Sequence, residues 1–142
     1  MNIINIFKYF INYKLKPIFW LKNFNAKKLH YKWEETNGER IEIINHLIKK
    51  TDGINYLEIG CDKNVVFSQI NCINKVGVDP NSGGTIRDTS DNFFKTNKQK
   101  FDVIFIDGLH HFDQVYKDFK NSFNFLNEGG YIILHDLIPR NW

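Results

Sequence analysis

The hydrophobic pattern of the chain changes period once, near residue 53. Before that point Ile41, Ile44, Leu47 and Ile48 recur at three- and four-residue steps. This spacing predicts an amphipathic helix that opens after Gly38-Glu39 and ends near Asp52-Gly53. Beyond it the apolar residues gather in four short, nearly continuous runs: Tyr56–Ile59, Val76–Val78, Phe101–Ile106 and Tyr131–Leu134. Such runs, rich in β-branched and aromatic residues, are expected of strands buried on both faces. A weaker strand is predicted over Thr85–Arg87. Between the last two clear runs, Phe112, Val115, Phe119, Phe123 and Leu126 mark a second helix. Asn127 to Gly130 supplies the flexible turn that ends it.

Strands alternating with helices predict an α/β fold: a Rossmann-like, doubly wound, mainly parallel sheet with right-handed crossovers. With Thr85–Arg87 as its third strand, the expected order is 3-2-1-4-5. A length of 142 residues suits one such domain, and 42% hydrophobic with 25% charged residues excludes disorder over most of the chain. The domain is expected over residues 38–142, preceded by a basic, aromatic, helical extension over 1–37 that is broken near Pro17.

Charge is unevenly placed. Residues 1–33 hold seven lysines and no acid, so with a total of +3 the rest of the chain carries a net −4. Two readings account for this: a peripheral contact of residues 1–33 with an anionic membrane surface, or a general bias of the chain toward Lys, Asn, Ile and Phe. Nucleic acid is not expected as a partner. A membrane span is disfavoured, because Lys8, Lys14, Lys16 and Pro17 interrupt the apolar stretch from Ile3 to Leu21. Cys61 and Cys72 form no CxxC pair, and with no secretion signal a cytoplasmic location is expected.

Each clear strand ends in residues of functional type. In such sheets ligands lie outside the carboxyl ends of the strands. The first run ends Glu58-Ile59-Gly60-Cys61-Asp62-Lys63-Asn64, where a glycine permits close approach of a ligand to the backbone. Asp79 follows Glu58 by 21 residues, the position of an acid that accepts from ribose hydroxyls. Each residue also has a plain structural reading, Gly60 as a turn glycine and Asp79 as a turn acid before Pro80. Their joint spacing points to a nucleoside ligand. The dinucleotide fingerprint G-x-G-x-x-G retains only its first glycine, and Asp62 stands where a pyrophosphate would be repelled. Carboxylates suit the ammonium and sulfonium of S-adenosylmethionine instead.

The run Phe101-Asp-Val-Ile-Phe-Ile-Asp-Gly-Leu-His110, with Gln114, Asp118 and then Gly129-Gly-Tyr-Ile-Ile-Leu-His-Asp136, resembles class I methyltransferases. It is most similar to a bacterial subgroup with IDGLH after the fourth strand and HD after the fifth. Val76-Gly-Val-Asp-Pro80, Thr89-Ser-Asp-Asn-Phe-Phe94 and Pro139 also resemble that subgroup, so the likeness covers about residues 40–142. It implies methyl transfer from S-adenosylmethionine to oxygen of a small molecule or sugar. Glu58, Gly60 and Cys61 would line the methionine portion, Asp79 the ribose, and Thr89-Ser90 the adenine side, with Asp107 also at the cofactor.

The resemblance further implies a catalytic role for Asp107 and His110, with His110 as base, and a magnesium ion on Asp107 and Asp136. The plainer readings are that Asp107 holds its turn, His111 is a solvated helix-start residue and His135 caps its strand. Compared with the full family fold, the chain is expected to lack the last strands, leaving a fifth-strand edge open for a homodimer. A non-catalytic nucleoside-binding or partner module, and a nicotinamide enzyme, are the alternative functions.

Overall fold

A computed structural model describes residues 39–136. The expected N-terminal helices, the contact proposed for residues 1–33 and Pro139 lie outside the described residues. Helix α1 (Arg40–Thr51) is the predicted amphipathic helix, with Ile44 and Ile48 buried. Asp52 caps it in the left-handed conformation at φ 49°, and the Gly53 amide returns to the Ile48 carbonyl at 2.9 Å. Carbonyls at the helix end are thereby satisfied.

Four parallel strands follow: β1 (Asn55–Ile59), β2 (Asn74–Val78), β3 (Phe101–Ile106) and β4 (Leu126–Leu134), in the order β2-β1-β3-β4. Tyr56 pairs with Val103 and Ile59 with Ile106 at the centre of the sheet. The Thr85–Arg87 segment is not a strand. It makes one isolated parallel bridge, Ile86 to Val78, which sets Ile86 beside β2 where the third strand of the expected order would run. Gly83 and Gly84, both at positive φ, turn the chain immediately before it.

Two helices pack beside the later strands, α2 (Ser90–Thr96) and α3 (Phe112–Asn124). The short α2 was not anticipated. Thr89 caps it by accepting the Asn92 amide, and Phe93 and Phe94 anchor it. The second predicted helix ends two residues early, because Leu126 already pairs with Phe101 as the first residue of β4. The register then jumps so that Val103 faces Tyr131. Asn127 to Gly130 is therefore an irregularity within β4, with Gly129 at φ +77°, rather than a turn before it. Between β1 and β2 the crossover is one 3-10 turn, Phe67–Gln69.

Alternation along the strands feeds two hydrophobic clusters. Ile44, Tyr56, Phe67, Val103 and Phe105 form one; Leu57, Ile59, Val78, Phe93, Ile104 and Ile106 form the other. Below the sheet, Asp102 Oδ2 accepts the Ile54 and Asn55 amides, both at 2.9 Å, and Oδ1 accepts Asn127 Nδ2 at 2.7 Å. That tie fixes the strand starts, so the strand ends share one rim. Among the described residues, no helix is long and apolar enough to cross a membrane.

Candidate active site

A cleft of about 800 Å³ opens outside the carboxyl ends of β1, β2 and β3. Its walls include Glu58, Gly60, Cys61, Asp79, Thr89, Ser90, Asp107 and His110, all expected from sequence. Asp136 does not line it, and its side chain is 56% exposed. The cleft sits where β1 and β3 run side by side and the chain departs in opposite directions, the switch point of a doubly wound sheet.

Gly60 has φ +85°, and a Cβ there would lie 2.3 Å from the Asp107 carbonyl oxygen. The glycine is thus required by the neighbouring strand end, whatever the ligand. Asp62 and Asn64 also take left-handed backbone, which these residue types tolerate. They turn the loop so that the Cys61 and Asp62 amides both donate to Asp79 Oδ2 at 3.0 Å. Asp79 Oδ1 accepts the Asn81 and Ser82 amides at 2.8 and 2.9 Å. Burial pushes this carboxyl up, but the four amides outweigh it and hold the group below its ordinary range.

Four amide donors fill the acceptor sites of one carboxylate. Asp79 is therefore the clasp between two loops, and a ribose hydroxyl must displace an amide to bond to it. Asn64 fastens the same loops by accepting the Gly84 amide at 2.7 Å. Cys61 contributes backbone to the cleft, while its side chain belongs to the core beside Tyr56 and Phe67. The Thr89 hydroxyl is occupied as the α2 cap.

Glu58 is 2% exposed and accepts the Tyr56 hydroxyl at 2.6 Å. Burial first, then the charge of Asp107, pushes its carboxyl up to about 7, against the Tyr56 bond and the Arg40 charge. At the other end of the cleft Gln114 Nε2 reaches Ser90 Oγ at 3.2 Å and Asp118 Oδ1 at 3.0 Å. Asp118 is 1% exposed, and burial raises its carboxyl.

On the rim, Asp107 Oδ1 lies 2.8 Å from His135 Nδ1 and 3.5 Å from His110 Nε2. Arg40 Nη1 lies 3.3 Å from Asp107 Oδ2. His110 is 55% exposed in its side chain, and His111 is the exposed first-turn residue preceding α3. Of the predicted magnesium pair, Asp136 Oδ2 lies 3.5 Å from His135 Nδ1, the atom that approaches Asp107 Oδ1. The described residues whose ligand atoms lie mutually within 4.8 Å are Asp107, His110 and His135. Two imidazoles and one carboxylate do not fit a cation that demands oxygen ligands.

Arg40 and Asn64 were not foreseen as site residues. Arg40 is one of three arginines in a chain with sixteen lysines, and that rarity is the only hint the sequence offers. Six carboxylates line the cleft against Arg40 and Lys63. The parallel sheet, its switch-point cleft and this acidic lining together define a Rossmann-like α/β protein. Residues 57–137 match the model of a family described as methyltransferase domain. That is more than half of the chain, and the chain belongs to this family. Among curated proteins none matches it.

Proposed function

We propose that the cleft holds S-adenosylmethionine and that the protein methylates an oxygen of a small-molecule or sugar acceptor. The observation that carries this reading is the acid-rich lining of the cleft at the switch point. A pyrophosphate would meet Glu58, Asp62 and Asp107, whereas an ammonium and a sulfonium are attracted by them. When bound, S-adenosylmethionine supplies a methyl group on a positively charged sulfur.

Glu58 faces the ammonium end of the cleft, and the Gly60–Asp62 backbone forms its floor. Ser90, Gln114 and Asp118 offer donors and acceptors to the edge of a purine. Asp79 acts indirectly, by holding the two loops in the shape the ribose requires. The acceptor hydroxyl must lose its proton as the new bond forms. His110, exposed and beside Asp107, is suited to take it, with the carboxylate stabilising the resulting imidazolium. Alignment of the two reactants supplies much of the remaining advantage. The two free cysteines accord with a cytoplasmic setting.

Isothermal titration with S-adenosylhomocysteine tests the reading, with NAD as the comparison ligand. Saturable heat with the first and none with the second is expected. Binding of NAD alone would sink the proposal. His110→Ala should bind S-adenosylhomocysteine like wild type, since its role falls on the acceptor.

A further inference from the structure

The rim group holds one residue more than the proposed proton transfer uses. A metal on His110 would take the lone pair a base needs, so the metal would then replace His110 as the group that activates the acceptor hydroxyl. Asp107, His110 and His135 each offer one ligand atom, and these atoms lie within 4.8 Å of one another. His135 Nδ1 lies 2.8 Å from Asp107 Oδ1 and 3.5 Å from Asp136 Oδ2, but neither contact is aligned as a hydrogen bond. That nitrogen is buried and has no aligned partner among the described residues. A buried polar atom left so is destabilising, and a cation that replaces the Nδ1 proton and also binds Asp107 Oδ1 removes the cost. Bonds of about 2.0–2.1 Å at roughly 90–110° put ligand atoms about 2.9–3.4 Å apart. The observed 2.8 and 3.5 Å separations fall beside that range.

Arg40 supplies the positive charge meanwhile. Its Nη1 lies 3.3 Å from Asp107 Oδ2 and 3.4 Å from His135 Nε2. Arginine only donates, so this contact needs an unprotonated Nε2. A metal on Nδ1 forces the proton onto Nε2 and thereby evicts the guanidinium. Arg40 is 40% exposed and has solvent to swing into.

We propose that Asp107, His110 and His135 bind a first-row transition dication of the zinc type, not magnesium, and that Arg40 is the cation it displaces. Imidazole nitrogen suits zinc, cobalt, nickel and iron, whereas magnesium selects oxygen. Three protein ligands leave one coordination position for a ligand in the cleft that all three residues line.

The test is a cobalt(II) titration of the chelator-treated full chain, read by visible d–d absorption, without any nucleoside present. Stoichiometric Zn2+ should abolish the bands, while Mg2+ in about thousandfold excess should not. His110→Ala and His135→Ala should each weaken Co2+ binding about tenfold or more. Arg40→Met should tighten it. His110 is exposed enough that its replacement leaves the fold intact, which keeps the test decisive if His135→Ala misfolds. Equal Co2+ binding by wild type and His110→Ala, or displacement of Co2+ by Mg2+ as readily as by Zn2+, overturns the proposal. Binding of S-adenosylhomocysteine to the metal-free chain is read separately, so failure here leaves the methyl-donor reading untouched.

Discussion

Gly60 and Asp107 stand back to back where the chain leaves the two central strands, so close that a Cβ on Gly60 would reach within 2.3 Å of the Asp107 carbonyl oxygen. The Asp107 amide in turn donates to the Ile59 carbonyl at 2.8 Å. Both surfaces are backbone, and neither can retreat without unpairing β1 from β3. Gly60→Ala should therefore destabilise the protein by about 3 kcal/mol or more, seen as a lower urea midpoint. A midpoint equal to wild type would mean that the two loops are not in contact.

Asp79 should behave as a clasp rather than as a ribose hook. Asp79→Asn puts an amide nitrogen where two backbone amides need an acceptor, and the expected cost is about 1–3 kcal/mol. Because the folded carboxyl titrates below its ordinary 3.8, its contribution is fully present above that value. It disappears as pH falls through the lower, folded value. Urea unfolding between pH 2.5 and 6 should show a steep acid limb for wild type and a shallower one for the variant. Parallel limbs would contradict the role.

Glu58 works in the opposite sense. Its folded value, near 7, lies above the ordinary 4.5. The stability it contributes is complete below pH 4.5 and is lost as pH rises through about 7. Glu58→Gln should flatten the decline in Tm between pH 5 and 8. The ligand's ammonium favours the ionised carboxylate, so S-adenosylhomocysteine binding near pH 6.5 should release protons. Titrations in buffers of different ionisation enthalpy measure that release, and a buffer-independent heat would detach Glu58 from the ligand.

Asp102 separates stability from binding. It lies at the strand starts, opposite the cleft, and holds Ile54, Asn55 and Asn127. Asp102→Ala should cost about 1–3 kcal/mol by orphaning these donors, with unchanged affinity for S-adenosylhomocysteine in the folded protein. A large loss of affinity at full stability would be incompatible with this division.

The strands and α1 were legible because burial on both faces, or on one helical stripe, leaves a periodic trace. The start of β4 was not. Leu126 follows Phe123 at helical spacing, and only its pairing with Phe101 shows that the chain has already turned. The helix α2 was hidden in seven residues, too few for a period to emerge. Gly60 and Asp79 were found by spacing, but their neighbours were not. Which amides meet Asp79 depends on left-handed turns at Asp62 and Asn64, and sequence shows only that such turns are tolerated. The gathering of His135 and Arg40 around Asp107 depends on residues 28 and 67 positions away in sequence, beyond any local pattern.

The sheet order carries a cost during synthesis. Parallel neighbours cannot form as a hairpin, and β1 must wait for β3, with β2 and α2 made in between, before Tyr56 meets Val103. When Phe101 to Ile106, buried at five of its six positions in the finished fold, leaves the ribosome, its β4 partner does not yet exist. Refolding should accordingly be slow for a chain of this size, and the nascent protein should be most prone to clump in that interval. Cooler expression or a holding chaperone should raise the soluble yield more than any change on the finished surface.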